Sequence, residues 1–487
     1  MSAPAMQTAL EVRACARIAL VAVALAIGGC ATFSPDGGFG PVASAVRERT
    51  GIDTRMVRDD AAATAVRKLV AERLQRPFGI DDAVQIALVN NAGLQALYAE
   101  LGISEANLVQ AGRVRNPRFT FSRLAGGDAL EIERKLIVDI VSLVTSPLFT
   151  RLERGRLEHA QLSAAMEAVK VAADTRKAYV SAVAAEQGAR YYEQVRAAAN
   201  AGAELATRMA QAGNWSRLAQ ARQQVFYADA TAQLARARNA AVVERERLVH
   251  LLGLTNDAPL LKLPDRLPDL PAAARSLDGA ETTALAQRLD IRLARRALDT
   301  TGESLGLVRA TRFVSVFEAG YQNKSEAGMP RENGYEIEIE VPLFDWGDAK
   351  VAKAEAIYRQ AAFRLAEASG HARSEVRSAY HAYHTAYDLA RHYRDEIVPL
   401  RKTIADETLL RYNGMLVSVF ELLADAREQI AGVNAAIEAQ RDFWLADADL
   451  EFALTGGEAS AAALLAPRTD TGGARARPLI DCGSKLP

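Results

Sequence analysis

The chain has 487 residues, with 59 Lys+Arg against 60 Asp+Glu and a formal net charge of -1. That balance argues against a nucleic-acid partner, which calls for a basic excess to neutralise phosphates. Three cysteines (Cys15, Cys30 and Cys482) make neither a disulfide framework nor a four-ligand zinc site. Only 6% of residues are aromatic and many are alanine, which suits long, closely packed helices.

The N-terminus reads as a targeting segment. Arg13 and Arg17 precede an apolar run from Ile18 to Ile27, too short to span a bilayer. It ends in Ile27-Gly28-Gly29-Cys30, which looks like a bacterial lipobox with Cys30 as lipid acceptor; the plainer alternative is a secretory signal with an incidental cysteine. Ala31, rather than aspartate, favours the outer membrane. Residues 1–29 are thus expected to be a lipoprotein signal, 30–77 an anchor and linker, and 458–487 a disordered tail.

Proline marks where long helices can lie. None occurs between Pro147 and Pro259, and only Pro399 between Pro342 and Pro467. Thr150–Gln211 would be a helix of roughly 90 Å, and Asp348–Arg411 is similar. Helices this long need partners along their length, as in a coiled coil or helical barrel. Tyr380, Tyr383 and Tyr387 have the spacing of such a seam. Each helix ends at a glycine, Gly213 or Gly414, expected to take the positive φ of a tight reversal. The chain returns through Trp215–Leu252 and Val417–Leu454. The rest of the first outward path would be retraced by Gly279–Arg312, and that of the second by an early helix, Asp81–Arg115.

Two strand pairs sit between the helices, Arg118–Leu124 with Leu130–Val141, and Phe313–Tyr321 with Tyr335–Val341. The last alternates Tyr335, Ile337, Ile339 and Val341 with Glu336, Glu338 and Glu340, so one face is apolar and one wet. The order of features repeats. Ala83, Ala87, Leu88, Leu94 and Leu108 recur as Ala280, Ala284, Leu285, Ile291 and Leu305, and Ser146-Pro147-Leu148-Phe149 as Val341-Pro342-Leu343-Phe344. The repeats would span 78–272 (hairpin 118–142, helical hairpin 150–253) and 273–457 (hairpin 313–341, helical hairpin 348–455).

The chain resembles the TolC-like outer-membrane efflux family. The resemblance rests on Val-Pro-Leu-Phe-Asp-Trp-Gly at 341–347, Ile-Val-Pro-Leu at 397–400, the Tyr412–Arg427 segment and Ile80–Asn91. It implies a mainly α fold in which very long coiled helices form a periplasmic α-barrel. Four strands per chain would join a trimeric 12-stranded β-barrel, working with a periplasmic adaptor and an inner-membrane pump. Strand number alone excludes a single-chain barrel, which needs at least about eight.

Several residues are candidates for function in such a duct. Glu131, Glu133, Glu336, Glu338 and Glu340 would face the lumen, favouring cations or merely keeping it wet. Gly213, Trp215, Gly414, Met415 and Leu416 would form the periplasmic tip and contact the adaptor, with Trp215, Met415 and Leu416 exposed. In the family, acidic residues just past the turn line the closed entrance. Here Phe420 stands at the strictly matching position, so the match to Glu421 and Asp425 rests on a one-residue shift, with Arg217 and Arg222 as partners. His381, His384 and Asp388 share a helix face but are read as polar positions on a packed helix, not a metal site. No phosphate-loop, Gly-x-Ser-x-Gly or His-Glu-x-x-His motif occurs. The expectation is a passive channel without catalysis or cofactor beyond the lipid on Cys30. The alternatives are the exit duct of a type I secretion system, which shares the fold, and a structural coiled-coil lipoprotein.

Overall fold

The computed structural model describes residues 32–457 apart from 76–78, 127–128, 255–260, 277–278, 280–281, 283–285 and 314–315. The expected signal with Cys15 and Cys30, and the tail with Cys482, lie outside the described residues. Helices α1 (Gly40–Thr50), α2 (Asp60–Leu74), α3 (Ile80–Asn90) and α4 (Ala92–Ala111) lead into a hairpin of β1 (Arg118–Gly126) and β2 (Ala129–Asp139). A long helix, α5 (Ile140–Gln211), reverses into α6 (Arg217–Leu251). Then come α7 (Leu289–Thr311), β3 (Phe317–Glu326), β4 (Glu332–Ile339) and α8 (Asp348–His392). A π-helical turn (Tyr393–Ile397) joins α8 to α9 (Val398–Asn413), and α10 (Val419–Thr455) returns. Helix, hairpin, long helix and return therefore occur twice, as the sequence repeat predicts.

At 72 residues, α5 is about 108 Å long. Its buried stripe is largely alanine (Ala164, Ala165, Ala168, Ala172, Ala178 and Ala182), so neighbouring helices approach closely. Helices α3, α4, α6, α7 and α10 all pack on it. Toward the middle of α5, Val84, Leu88, Leu94, Tyr98 and Leu101 form a core against Ala164, Ala168, Val169 and Ala172. A separate core joins Tyr383, Tyr387, Phe443 and Leu450 to Leu270 of the proline-rich connection. There the Tyr387 hydroxyl donates to the carbonyls of Pro271 (3.2 Å) and Ala272 (3.1 Å). The tyrosine seam thus holds, with Tyr383 and Tyr387 buried and Tyr380 half-buried. Among the described residues, no helix is long and apolar enough to cross a membrane.

Several expected boundaries move, each for a local reason. The early helix is two helices, because Asn91 leaves the helical region (φ -67°, ψ 118°) and caps α4 by accepting from the Leu94 N–H at 3.1 Å. Its amide donates to Leu251 O (3.0 Å), and that of Asn90 to Leu252 O (2.9 Å) and Gly253 O (3.0 Å). The pair satisfies carbonyls that the end of α6 leaves open. Helix α5 begins ahead of Pro147, not after it: the Asp139 carboxylate accepts from the Ser142 N–H at 2.9 Å and caps the helix where β2 stops. Pro147 then sits inside the helix and forgoes one backbone bond. In the second repeat Pro342 lies in an irregular stretch between β4 and α8, so the repeat diverges there. The second long helix is broken by the π turn, where the Val398 N–H reaches back to Tyr393 O immediately before Pro399, which has no N–H to give.

One packing expectation fails within a single chain. Helix α7 does retrace part of α5, but it also packs on α8 and fills the place expected for the early helix. Helix α4 lies on α5 instead.

The start of α7 is held by Arg288, which is fully buried. Its guanidinium meets Asp290 (2.7 Å), Glu375 (2.6 Å) and the Ala453 carbonyl (2.7 Å), joining α7, α8 and α10. A buried pair stripped of one member leaves uncompensated charge, at about 3–5 kcal/mol. Arg288→Met should therefore sharply lower the thermal unfolding midpoint, and adding Asp290→Asn with Glu375→Gln should restore part of the loss. If the single and triple variants melt alike, the cluster does not hold this junction.

Candidate functional site

The four strands form one antiparallel sheet in the order β1-β2-β3-β4. Its register decides which residues share a face, because directly opposed residues point the same way. Phe119 pairs with Leu136, Leu136 with Tyr321, and Tyr321 with Tyr335; below this row Val138 pairs with Ala319 and Ala319 with Ile337, and Phe317 with Ile339. This face is apolar and uncovered: Phe119, Ile337 and Tyr335 are 66%, 66% and 90% exposed. Val341, Leu343, Phe344 and Trp346, beyond β4, are also exposed.

The opposite face carries the predicted acids. Glu131, Glu133, Glu336 and Glu338 all lie on it, together with Asp139, Glu318, Glu326 and Glu332. Glu340 follows β4 in the same alternation, and its N–H reaches Val316 O. Sequence reading missed the cations interleaved with them. Lys324 meets Glu131 at 2.8 Å, Lys135 lies 3.1 Å from Glu133 and 3.3 Å from Glu336, and Arg118 pairs with Glu318. The signal was present as Lys135, Lys324 and Arg118 at the right parity, but cross-strand partners depend on register.

At the far end of the helices, the two turns share a chemistry. In the first, Gly213 takes φ 76° and the Asn214 N–H reaches Met209 O at 2.9 Å. In the second, the residue with positive φ is Met415 (59°), and Gly414 keeps φ -79°. Gly414 therefore does not serve as the expected left-handed residue. The bonds show why: Leu416 N–H reaches Arg411 O at 2.8 Å, placing Met415 where Gly213 stands in the first turn. Ser216 and Ser418 then cap α6 and α10.

Met415 and Leu416 are 92% and 78% exposed, as expected of a tip. Trp215 is not exposed but half-buried, because its ring stacks on Phe420 with centroids 5.6 Å apart and links the two turns. Asp425 does not point to an open entrance alone: its carboxylate accepts from the Thr408 hydroxyl at 2.5 Å, within its own helical hairpin. Glu421 stands in the first turn of α10, and Arg217 and Arg222 are exposed on α6. The Arg222 carbonyl accepts from Arg427 (3.5 Å), whose guanidinium lies 4.4 Å from the Phe226 ring. His381 is exposed, while His384 packs edge-on against Tyr380 at 4.4 Å. No group of three or more His, Cys, Asp or Glu among the described residues could hold a metal ion.

No protein-family profile matches the sequence, and no curated protein matches it. Solved structures do. The chain is similar to a membrane protein from Pseudomonas aeruginosa, with TM-score 0.67 and 18% identity over 77% of this chain and 93% of that one. It is similar to the outer-membrane channel OprN, with TM-score 0.66 and 19% identity over 83% and 97%. It is also similar to CusC, solved in work on folding and transmembrane channel formation, with TM-score 0.64 and 16% identity over 80% and 94%. The chain thus shares the protomer fold of these structures, mainly helical with a small antiparallel sheet.

Two outcomes check the geometry of the turns. Replacing Met415 by glycine removes a left-handed non-glycine residue and should stabilise the turn by about 1 kcal/mol, seen as slower hydrogen exchange in Tyr412–Ser418. Trp215→Ala removes a stack worth about 0.5–1.5 kcal/mol beyond its buried area, and should speed exchange at both turns together. Exchange confined to the first turn would mean that the two are not linked through Phe420.

Proposed function

We propose that the chain is the outer-membrane duct of a tripartite efflux assembly, a passive conduit for small solutes delivered by an inner-membrane pump through a periplasmic adaptor. The observation that carries this reading is the two-faced sheet. Its apolar face is bare, its other face holds a dense set of charges, and β1 and β4 each have one unpaired edge. In lipid an open edge is not tolerated, and four strands cannot close on themselves. Three copies, with β4 of one pairing β1 of the next, give about twelve strands and a barrel with the charges inside. A structural tether has no use for such a sheet.

The helices support the same assembly. Ile103 of α4 (64% exposed) and Phe363 of α8 (76% exposed) are left bare in the single chain. With α4 on α5 and α7 on both α5 and α8, these bare side chains would be covered by neighbouring copies. The long hairpins then form the periplasmic barrel. Gly213, Gly414, Met415 and Leu416 meet the adaptor, and Glu421, Arg217 and Arg222 border the entrance. Asp425 steadies the hairpin through Thr408.

The Ser34 N–H donates to Glu105 Oε1 at 2.6 Å, which ties the start of the described chain to the last two turns of α4. A lipid on Cys30 would anchor the chain ahead of that contact.

Two measurements test the proposal. The purified protein should run as a heat-resistant trimer and give discrete conductance steps in planar bilayers; a non-conducting monomer would favour the tether. Lys135→Ala with Lys324→Ala frees carboxylates on the charged face, so the reversal potential in a salt gradient should shift toward cation selectivity. An unchanged reversal potential would place that face outside the pore. Crosslinking at Met415 in cells, which traps either a drug- or metal-efflux pump complex or a protein-secretion one, separates efflux from type I secretion.

A further inference from the structure

Charge is sorted between the two faces of the sheet more strictly than a wet lumen requires. Every Asp and Glu of the described strands lies on the charged face. The apolar face carries none, yet it carries arginine. Arg134 opposes Phe121 on one side and Asn323 on the other, and Asn323 opposes Asn333. One row nearer the hairpin loops, Arg123 opposes Ile132 and Ile132 opposes Ser325. Arg331, in the β3–β4 connection, is two residues before Asn333 and exposed.

The height of these residues is set by the band beneath them. From Ile339 to Asn333 the apolar face climbs about 20 Å along the strand, or about 15 Å at a barrel tilt near 40°. Val341, Leu343, Phe344 and Trp346 extend the band on the helix side, toward the roughly 25 Å that membrane barrels show. The arginine rows therefore fall at its upper edge, on the side away from the helices. A bare arginine is costly at the bilayer midplane and nearly free at the interface, which agrees with that placement.

The lower row is also prearranged. The Asn333 side-chain carbonyl accepts from the Tyr321 hydroxyl (2.8 Å) and the Asn323 amide (2.7 Å), and the Asn323 carbonyl accepts from Arg134 Nη1 (3.1 Å). The guanidinium also lies 6.0 Å from the Phe121 ring centroid. This ladder holds Arg134 against the sheet. A guanidinium has five donors in a planar fork that matches phosphate oxygens. Among the described strand residues no carboxylate lies on this face, so the matching anion is sought in the surroundings.

We propose that Arg123 and Arg134 form a binding site for the phosphate-bearing head group of an outer-leaflet glycolipid, the acyl chains lying on the apolar band below. This rests on the outer-membrane reading above. In the closed barrel the site recurs once per copy. It fixes the depth of the barrel in the membrane as well as binding lipid.

The test uses the full-length protein in detergent, titrated separately with phosphorylated lipid A, dephosphorylated lipid A and inorganic phosphate, with bound molecules counted by native mass spectrometry. Phosphorylated lipid A should bind about tenfold or more tightly than the other two. Arg123→Ala with Arg134→Ala should remove that preference, and the double lysine variant should recover part of it. Conductance is recorded on the same preparations. If the parent conducts but the double alanine variant binds lipid A as well as the parent, this inference fails and the channel stands. The same holds if dephosphorylated lipid A or inorganic phosphate binds as tightly as phosphorylated lipid A. If the parent does not conduct, the channel reading fails and this inference with it.

Discussion

Unpaired backbone at the edge of a sheet is the constraint on which the rest of this structure turns. Strands β1 and β4 each offer a row of N–H and C=O groups with no strand partner among the described residues. Water can satisfy such a row, but hydrocarbon cannot. A sheet with an apolar face this bare is not built for water on that side, and it has no second layer. The edges and the face therefore make the same demand, closure with further copies. Hydrogen-bond accounting asks for further copies of the chain; the number three in the proposed trimer comes from the resemblance to the TolC-like family.

The helices meet a similar demand by different means. A helix of 72 residues cannot be stabilised by its ends, so it depends on continuous lateral packing. Alanine at the buried positions of α5 lets six other described helices (α1, α3, α4, α6, α7 and α10) approach it. Where the packing changes partners, polar groups take over. Asn90 and Asn91 close the end of α6, and Arg288 ties three helices together in the interior. These junctions lie between the sheet and the turns, where the helices change packing partners.

The sheet also separates charge by face. Lysines interleaved with the carboxylates temper what would otherwise be a purely acidic face. Arginines stand on the other face without an acid beside them in the strand register. In the proposed duct one face would meet solutes and the other the membrane, and period-two alternation lets a single strand serve both.

Much of this was legible in the sequence, and the reason is periodicity. Proline-free stretches marked the long helices, alternation in Tyr335–Val341 separated the two faces of β4, and the recurring order of features revealed the duplication. These are local or one-dimensional signals. What the sequence could not decide depended on contacts between distant segments. Met415 rather than Gly414 takes the left-handed position, because the reversal is placed by hydrogen bonds back to Arg411 and Tyr412 and not by residue preference. Trp215 is covered because Phe420 comes from the other hairpin. Asp425 is engaged because Thr408 lies across the coil. Helix α4 lies on α5, and α7 lies between α5 and α8. A repeated sequence defines which elements exist; which copy of an element packs against which is settled only when all of them compete for the same surfaces.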